Sequence, residues 1–402
     1  MAVSLMRHFL AAAILTAVCS LLSVACVPLV AQTAEPFNVG QSVSFHSKVL
    51  NEDRQILVYL PDGYEHSSAA YPVIYVMDAE THWLHVGSTT RLLSLLGAMP
   101  QVIVVGVTNS DRARDMTPHP ATPDKDFPGG GGSAAFVVFL TDEVRPYVDK
   151  QYRSSPFAIL AGTSLSGLFV IDAFLNHPGS FNAYLAASPS LWWDKNAAVH
   201  RAQVALQTKL TRNTFLYISL CEGDSKELQE STHEFETEIK KRPPDSLHTQ
   251  YLNIAGETHN SSPLKSFYAG LQWLYADWAS EAPDSLVALK RHYKQLSEQY
   301  GYQIAVPERE VNALGYSLLF SDKKLQAIPV FRSNVDAYPE SANAWDSLGD
   351  AYKTNGQLDL ARQSYENGCA ISTKSKDLNA SSMCANLADV KKLIEHKGGF
   401  VK

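Results

Sequence analysis

The stretch AILAGTSLSGLF, residues 158–169, decides the fold because its character changes in the middle. An apolar, strand-like run leads into Ser164, and a helix-like run leads out of it. Gly162 precedes the serine, and Ser166 and Gly167 follow it. A serine on a sharp strand-to-helix turn needs small neighbours, since the turn strains its backbone. We therefore interpret Ser164 as a candidate nucleophile. The alternative is a close crossing of strand and helix that uses small residues for packing alone.

Strand-like and helix-like patterns alternate on both sides of this turn. Residues 42–60 predict a β-hairpin, and the runs VIYVM and VIVVGV predict strands buried on both faces of a sheet. Further strands are predicted at 184–189, 214–220 and 248–254, with helical patterns between them. This alternation predicts an α/β fold with a doubly wound, mostly parallel sheet that begins with an antiparallel pair.

The later predicted strands are followed by the other groups that a serine nucleophile needs. Glu222 and Asp224 follow the strand at 214–220, and His259 follows the strand at 248–254. The carboxyl ends of parallel strands meet at one edge of a sheet. A serine hydroxyl requires a base, so we predict that His259 accepts its proton and that Asp224 orients the imidazole. Glu222 is the alternative acid, and a Ser–His dyad without an acid is also open.

Acyl transfer also needs two N–H groups directed at the developing oxyanion. We predict that they belong to Leu165, which follows the nucleophile, and to Ala79, in the loop after VIYVM.

Four further residues are candidates for binding substrate. Each has a plainer alternative: packing for the tryptophans, ion pairing with Asp111 and Asp115 for the arginine, and a loop position for the histidine. The candidates are Trp192, Trp193, Arg114 and His82. We expect no metal, because His82 and His85 lack a third ligand at a useful spacing. The glycine-rich loop at 129–133 lacks the lysine of a phosphate-binding loop.

Several stretches resemble the α/β-hydrolase esterases of the esterase-D and ferric-enterobactin-esterase type. They are YPVIYVMDAE, VIVVGVTNSDRARDMTP, FLTDEVRPYVDKQY, ILAGTSLSGLFVIDAFLNHPGSFNAYLAASPSLWWD and GETHNSSP. The resemblance implies cofactor-free hydrolysis of carboxylic esters, siderophore-type or related, with Ser164 and His259 as nucleophile and base. One departure lies in the oxyanion loop, where Ala79 follows Asp78 in place of the usual glycine.

The sequence after Pro283 overlays on itself at a shift of 34 residues. The matched pairs are Leu314 with Leu348, Gly315 with Gly349, Ala327 with Ala361, and Phe331 with Tyr365. This spacing is typical of tetratricopeptide repeats, which are pairs of stacked helices. The repeats either cover apolar surface or bind a protein or peptide partner.

The amino terminus predicts export. Arg7 precedes an apolar stretch and then small residues near Ala31 and Ala34, as in a secretory signal peptide. The mature chain would be periplasmic or secreted and keep three cysteines, of which Cys369 and Cys384 either pair or stay as thiols. The net charge of −7 provides no basic surplus for nucleic acid.

These patterns divide the chain into four parts. We expect a signal peptide at 1–34, an α/β-hydrolase esterase domain at 35–280, a helical linker at 281–306 and tetratricopeptide-like repeats at 307–402. The leading hypothesis is an exported serine hydrolase acting on small-molecule esters by a Ser–His–Asp acyl-enzyme mechanism. The alternatives are an acyltransferase with the same residues, or a binding and assembly protein on a catalytically weak hydrolase scaffold.

Overall fold

The computed structural model describes residues 38–206, 210–281 and 283–399. The predicted signal peptide lies outside the described residues. Within them, eight strands form one sheet in the order β1-β2-β4-β3-β5-β6-β7-β8. The strands are β1 (Gln41–Ser47), β2 (Glu52–Tyr59), β3 (Tyr71–Val76), β4 (Ile103–Val107), β5 (Ser154–Thr163), β6 (Ala183–Ala187), β7 (Thr214–Gly223) and β8 (Leu247–Thr258).

The strand directions confirm the predicted fold class. β2 pairs in antiparallel fashion with both β1 and β4, whereas the other neighbouring pairs are parallel. The sheet therefore begins with the predicted hairpin and continues as a mostly parallel sheet. The carboxyl ends of β3 to β8 lie along one edge, which is where the predicted site residues follow their strands.

Helices connect and follow the strands. They are α1 (Ala79–Leu95), α2 (Arg112–Met116), α3 (Ser133–Phe139), α4 (Arg145–Gln151), α5 (Leu165–Asn176), α6 (Trp193–Ala205), α7 (Lys226–Lys241), α8 (Ser262–Leu274), α9 (Leu286–Tyr300), α10 (Glu308–Leu319), α11 (Lys324–Ala337), α12 (Ala342–Thr354), α13 (Leu358–Ser375) and α14 (Ala380–Gly399). A π-helical turn, Leu140–Val144, joins α3 to α4.

The segment after β3 differs from the sequence prediction, which treated it as a loop around the site. It forms α1, and its buried residues include Ala79, Trp83, Val86, Thr90 and Leu93. This spacing of three and four residues is that of one helix face. The periodicity was present in the sequence but was obscured by the polar residues between these positions.

The central strands β3, β4 and β6 are buried on both faces of the sheet, and successive side chains of a strand point to opposite faces. Along β3, Ile74 and Val76 join one apolar cluster, whereas Val73 and Tyr75 join the other. The first cluster continues without a break into the carboxyl-terminal helices. The ring of Tyr300, at the end of α9, lies 5.3 Å from that of Phe157 on β5. The helical region is therefore packed directly onto the hydrolase sheet.

The helices after α9 have the close contacts that the 34-residue pattern requires. A methyl group on Gly315 would overlap the ring of Phe331, and one on Gly349 would overlap the ring of Tyr365. Both pairs hold two helices close together, α10 to α11 and α12 to α13. This region is a helical extension of the fold, and its assignment as tetratricopeptide repeats stays a prediction.

A disulfide joins Cys369 on α13 to Cys384 on α14. Of the two alternatives for these cysteines, the structure contains the paired one. Cys221, at the end of β7, is a buried thiol. Among the described helices, none combines the length and apolar character needed to cross a membrane.

Candidate active site

Ser164 occupies the single position between β5 and α5. Its backbone angles, φ 60° and ψ −120°, are ones that residues other than glycine disfavour. Its N–H donates to Ala187 O at 3.0 Å, and its carbonyl accepts from Ser190 N at 3.0 Å. A methyl group on Gly162 would overlap the backbone of Ser166, so this turn requires the glycine. The local sequence thus folds into a sharp turn that presents the serine at the edge of the sheet.

Asp224 and His259 follow the neighbouring parallel strands β7 and β8. His259 Nδ1 lies 2.6 Å from Asp224 Oδ1. The Asp224 side chain is fully buried, and that of His259 is one-third exposed. Burial opposes ionisation of Asp224, but hydrogen bonds from His259, Cys221 N–H and Ser188 hold its pKa below the ordinary value. An ionised carboxylate only accepts hydrogen bonds, so His259 Nδ1 donates and Nε2 is left to accept a proton.

The hydroxyl of Ser164 is half-buried and lies 3.5 Å from Ser190 Oγ. Within the described ranges, no hydrogen bond joins Ser164 to His259. Catalytic hydrogen bonds are often long in free enzymes and shorten when substrate binds, so this geometry is compatible with a nucleophile and its base.

Glu222, the alternative acid, has a different role in the structure. Its Oε2 accepts a hydrogen bond from Gly256 N at 2.8 Å, and the residue is exposed. It therefore links β7 to β8, while Asp224 is the carboxylate in contact with His259.

The two predicted oxyanion donors begin two helices. Leu165 is the first residue of α5 and Ala79 the first of α1, and N–H groups in a first helical turn have no partner within the helix. Asp78, just before Ala79, has a positive φ of 52°. Both helix amino termini follow strands that end at the catalytic edge, and their dipoles favour negative charge there.

The Asp78 carboxylate connects this loop to the nucleophile turn. It accepts hydrogen bonds from Ser166 Oγ at 2.7 Å, from Arg112 Nε and Nη2 at 2.8 Å each, and from Asn109 Nδ2 at 2.8 Å. Burial opposes its ionisation, but the guanidinium of Arg112 and the other donors keep the pKa of Asp78 below its ordinary value. Ser166 also accepts from Thr163 N at 2.8 Å.

The two tryptophan candidates contact the loop between α2 and α3. Trp193 is buried, and its Nε1 donates to Pro118 O at 3.0 Å. Trp192 is half-buried, with its ring 5.9 Å from that of Phe127. Trp193 therefore anchors the loop, whereas Trp192 retains surface that a ligand can contact.

Arg114 and His82 are engaged in contacts within the fold. The Arg114 guanidinium donates to Glu52 and Asp115, an arrangement that includes the pairing considered from the sequence. His82 is a buried residue of α1, and its Nδ1 lies 2.9 Å from His85 Nε2. Burial lowers the pKa of the His82 imidazole. Among the described residues, no group of three or more His, Cys, Asp or Glu side chains is placed to hold a metal.

Sequence reasoning missed Ser188 and Ser190, which contact Asp224 and Ser164 respectively. The predicted strand at 184–189 included Ser188, whereas β6 ends at Ala187, so both serines follow their strand as the other site residues do. The prediction considered only the two tryptophans of this segment.

A cavity of about 840 Å³ lies away from these residues, at the opposite edge of the sheet. It is lined by the beginnings of β3 and β5, by Trp278 and by the connection between α9 and α10. It holds none of the candidate catalytic residues.

The fold is that of an α/β-hydrolase esterase. Residues 47–289 match the model of the family named Esterase, which is more than half of the chain. The chain therefore belongs to this family and is a carboxylic ester hydrolase.

Individual relatives narrow the comparison. The ferri-bacillibactin esterase BesA of Bacillus subtilis is 25% identical over 219 residues, covering 48% of this chain and 75% of the relative. The siderophore triacetylfusarinine C esterase of Aspergillus fumigatus is 35% identical over 100 residues, covering 24% of this chain and 33% of that relative. The crystal structure of an IroE-like serine hydrolase from Shewanella oneidensis is 26% identical, with a TM-score of 0.65, over 72% of this chain and 98% of that chain.

Proposed function

We propose that the protein is an exported serine esterase that cleaves siderophore-type or related carboxylic esters through an acyl-enzyme. Ser164 is the nucleophile, His259 the general base and Asp224 the acid that orients the imidazole. The N–H groups of Leu165 and Ala79 stabilise the oxyanion.

The reaction takes place in two halves. Ser164 Oγ attacks the ester carbonyl carbon while His259 Nε2 takes the hydroxyl proton, and the tetrahedral oxyanion accepts hydrogen bonds from the two N–H groups. The carbon–oxygen bond to the alcohol breaks, and His259 returns the proton to the leaving alkoxide oxygen. Water then attacks the acyl-enzyme with the same base, which releases the carboxylic acid and restores Ser164.

The observation that carries this proposal is the hydrogen bond of 2.6 Å between His259 Nδ1 and the buried Asp224 carboxylate. It stabilises the imidazolium that forms when Nε2 takes a proton. The strained backbone of Ser164 supports the assignment of the nucleophile, because strain of this kind persists at functional turns.

The proposed substrate class comes from the relatives, which include a ferri-bacillibactin esterase and a siderophore triacetylfusarinine C esterase. The half-buried ring of Trp192 provides an aromatic surface beside the site for an acyl or aryl group. Related carboxylic esters remain within the proposal, since the family match extends to esterases in general.

Export is supported by two independent features. The amino-terminal sequence has the charge, apolar stretch and small residues of a signal peptide. The disulfide between Cys369 and Cys384 is of a kind that persists in oxidising compartments.

The test combines active-site labelling with turnover. A fluorophosphonate reagent should label the native protein at Ser164, and Ser164→Ala should lose both labelling and ester hydrolysis. Ser190→Ala, which removes the neighbouring hydroxyl, should still be labelled. If the native protein is never labelled at Ser164, the proposed serine esterase mechanism is wrong. The fold would then serve a binding role instead.

A panel of siderophore, aryl and acetyl esters then identifies the substrate class. Added alcohols distinguish hydrolysis from acyl transfer, because a transferase yields a new ester in place of the free acid. A preference for acetyl esters over every siderophore ester would overturn the proposed substrate class but not the proposed mechanism.

A further inference from the structure

Ser188, the first residue after β6, is buried, has a strained backbone and is hydrogen-bonded to the proposed catalytic acid. Its side chain is fully buried, its φ is +42°, and its hydroxyl donates to Asp224 Oδ2 at 2.7 Å. Its N–H donates to Ser219 O at 2.7 Å, which fixes the backbone of the strained residue. A glycine would adopt this backbone conformation at lower cost, so the serine is explained by what its hydroxyl does.

The two oxygens of the Asp224 carboxylate have separate partners. Oδ1 faces His259 Nδ1, whereas Oδ2 accepts from Ser188 Oγ and from Cys221 N at 2.8 Å. Together the two Oδ2 contacts determine the rotation of the carboxyl group about its Cβ–Cγ bond. Of the two, only the contact from Ser188 comes from a different strand, so it fixes the acid relative to the rest of the site.

The segment that contains Ser188, residues 187–190, is also hydrogen-bonded to the turn at Ser164. Ser164 N donates to Ala187 O, and Ser190 N donates to Ser164 O, each at 3.0 Å. Residues 187–190 therefore contact both the turn that carries the nucleophile and the acid that orients the base.

We propose that Ser188 is a positioning residue, whose hydroxyl holds the Asp224 carboxylate in the orientation that His259 requires and so sets the distance between base and nucleophile. The inference rests on the proposed Ser–His–Asp mechanism. Ser188 acts through Asp224 and does not touch the substrate.

The first experiment replaces the hydroxyl in two ways. Ser188→Gly removes it and relieves the backbone strain, while Ser188→Ala removes it and keeps the strain. Both variants should lower kcat on a soluble aryl ester roughly ten- to hundredfold, the effect of losing a hydrogen bond to a charged group, with KM nearly unchanged. Ser266→Ala, which alters another buried serine, is the matched control and should keep native kcat. Native kcat in a folded Ser188→Gly would overturn the inference.

The second experiment is a double-mutant cycle. If Ser188 acts through Asp224, Ser188→Gly should have little further effect in an Asp224→Asn background, so the two losses do not add. Additive losses would mean that Ser188 acts on folding or on another group, and would overturn the inference. The two proposals fail differently: full activity in Asp224→Asn alone contradicts the triad, whereas an inactive Asp224→Asn with a fully active Ser188→Gly contradicts only the role of Ser188.

Discussion

Ser166 Oγ donates a hydrogen bond of 2.7 Å to Asp78 Oδ2, which links the turn at Ser164 to the start of α1, where the proposed second oxyanion donor, Ala79, lies. Ser166 stands where the elbow pattern has its second glycine. The departure from the pattern therefore adds a contact between two parts of the site.

This relationship predicts the effect of removing the hydroxyl. Ser166→Ala and Ser166→Gly should each lower kcat roughly tenfold with little change in KM, because Ala79 N–H loses a fixed position relative to Leu165 N–H. Steady-state kinetics on a small ester provide the measurement. If Ser166→Gly alone keeps native kcat, backbone space rather than the hydroxyl decides the geometry.

Replacing the Asp224 carboxylate by an amide and replacing the Glu222 carboxylate by an amide should have unequal effects on kcat. Asp224→Asn removes the negative charge that stabilises the imidazolium, so kcat should fall by roughly 10³–10⁴-fold. Glu222→Gln alters a carboxylate that accepts a hydrogen bond from Gly256 N, and it should change kcat by about threefold or less. The measurement is kcat for both proteins at one pH, and equal, small losses would favour a dyad.

Substitutions of Tyr300 test how much the packing of the carboxyl-terminal helices on the sheet contributes to the free energy of unfolding. The residue is 2% exposed, and its hydroxyl donates to Leu274 O at 2.8 Å. Tyr300→Ala should lower the free energy of unfolding by about 3–5 kcal/mol, whereas Tyr300→Phe should lower it by about 1 kcal/mol. Urea unfolding measures both changes. The kcat per labelled site should stay native in Tyr300→Phe, and a loss there would mean that α9 contributes to the active site.

Asp346 on α12 should make stability depend on pH. Burial, together with the nearby Asp350 carboxylate and against the hydrogen bond from Asn386, raises its pKa to about 6. The folded state then binds the Asp346 proton more tightly than the unfolded state, so this contribution to stability is present at low pH and is lost as pH rises through about 6.

Asp346→Asn should therefore stabilise the protein at pH 7 by roughly 1 kcal/mol and have little effect near pH 4. Urea unfolding at both pH values provides the comparison, with exposed Asp336→Asn as the control. A gain that is equal at both pH values would exclude titration of Asp346 as its cause.

The disulfide predicts a thiol count. Mature protein recovered from an oxidising compartment and then unfolded should show one thiol per chain, that of Cys221. Replacement of Cys369 and Cys384 by serine should lower stability by about 3 kcal/mol, since the bond closes a loop with a separation of 15 residues, and should leave kcat unchanged. A count of three thiols would contradict the pairing.

The sequence predicted the sheet because its evidence is local. Short apolar runs such as VIYVM favour a strand buried on both faces, and the small residues around Ser164 favour a tight turn over a close crossing of strand and helix. The shared edge at which the parallel strands end then follows from their common direction, whereas the order of the strands is known only from the structure. The predictions for Ser164, Asp224 and His259 combined these patterns with the chain order serine, acid, histidine and with the need of a serine hydroxyl for a base.

The contacts of charged residues could not be predicted in the same way. Arg112 and Arg114 are two residues apart and both follow β4, yet one binds Asp78 and the other binds Glu52 and Asp115. Asp115, next to Arg114, was a partner considered from the sequence, whereas Asp78 and Glu52 are distant in sequence. Which distant carboxylate each arginine reaches depends on side-chain geometry. Ser188 is similar, because its hydrogen bond to Asp224 joins residues that follow two different strands, β6 and β7.

The continuity of one apolar core from the sheet into α9 affects the order in which the protein can fold. Leu289, Tyr293 and Leu296 are buried in the same cluster as Phe157 and Trp278. A nascent chain that has emerged only as far as His259 has every candidate catalytic residue but lacks the helices that close this face. The apolar core of the hydrolase domain is therefore completed only late in synthesis. Until then the face of the sheet that α9 covers is exposed, and a chaperone can bind it.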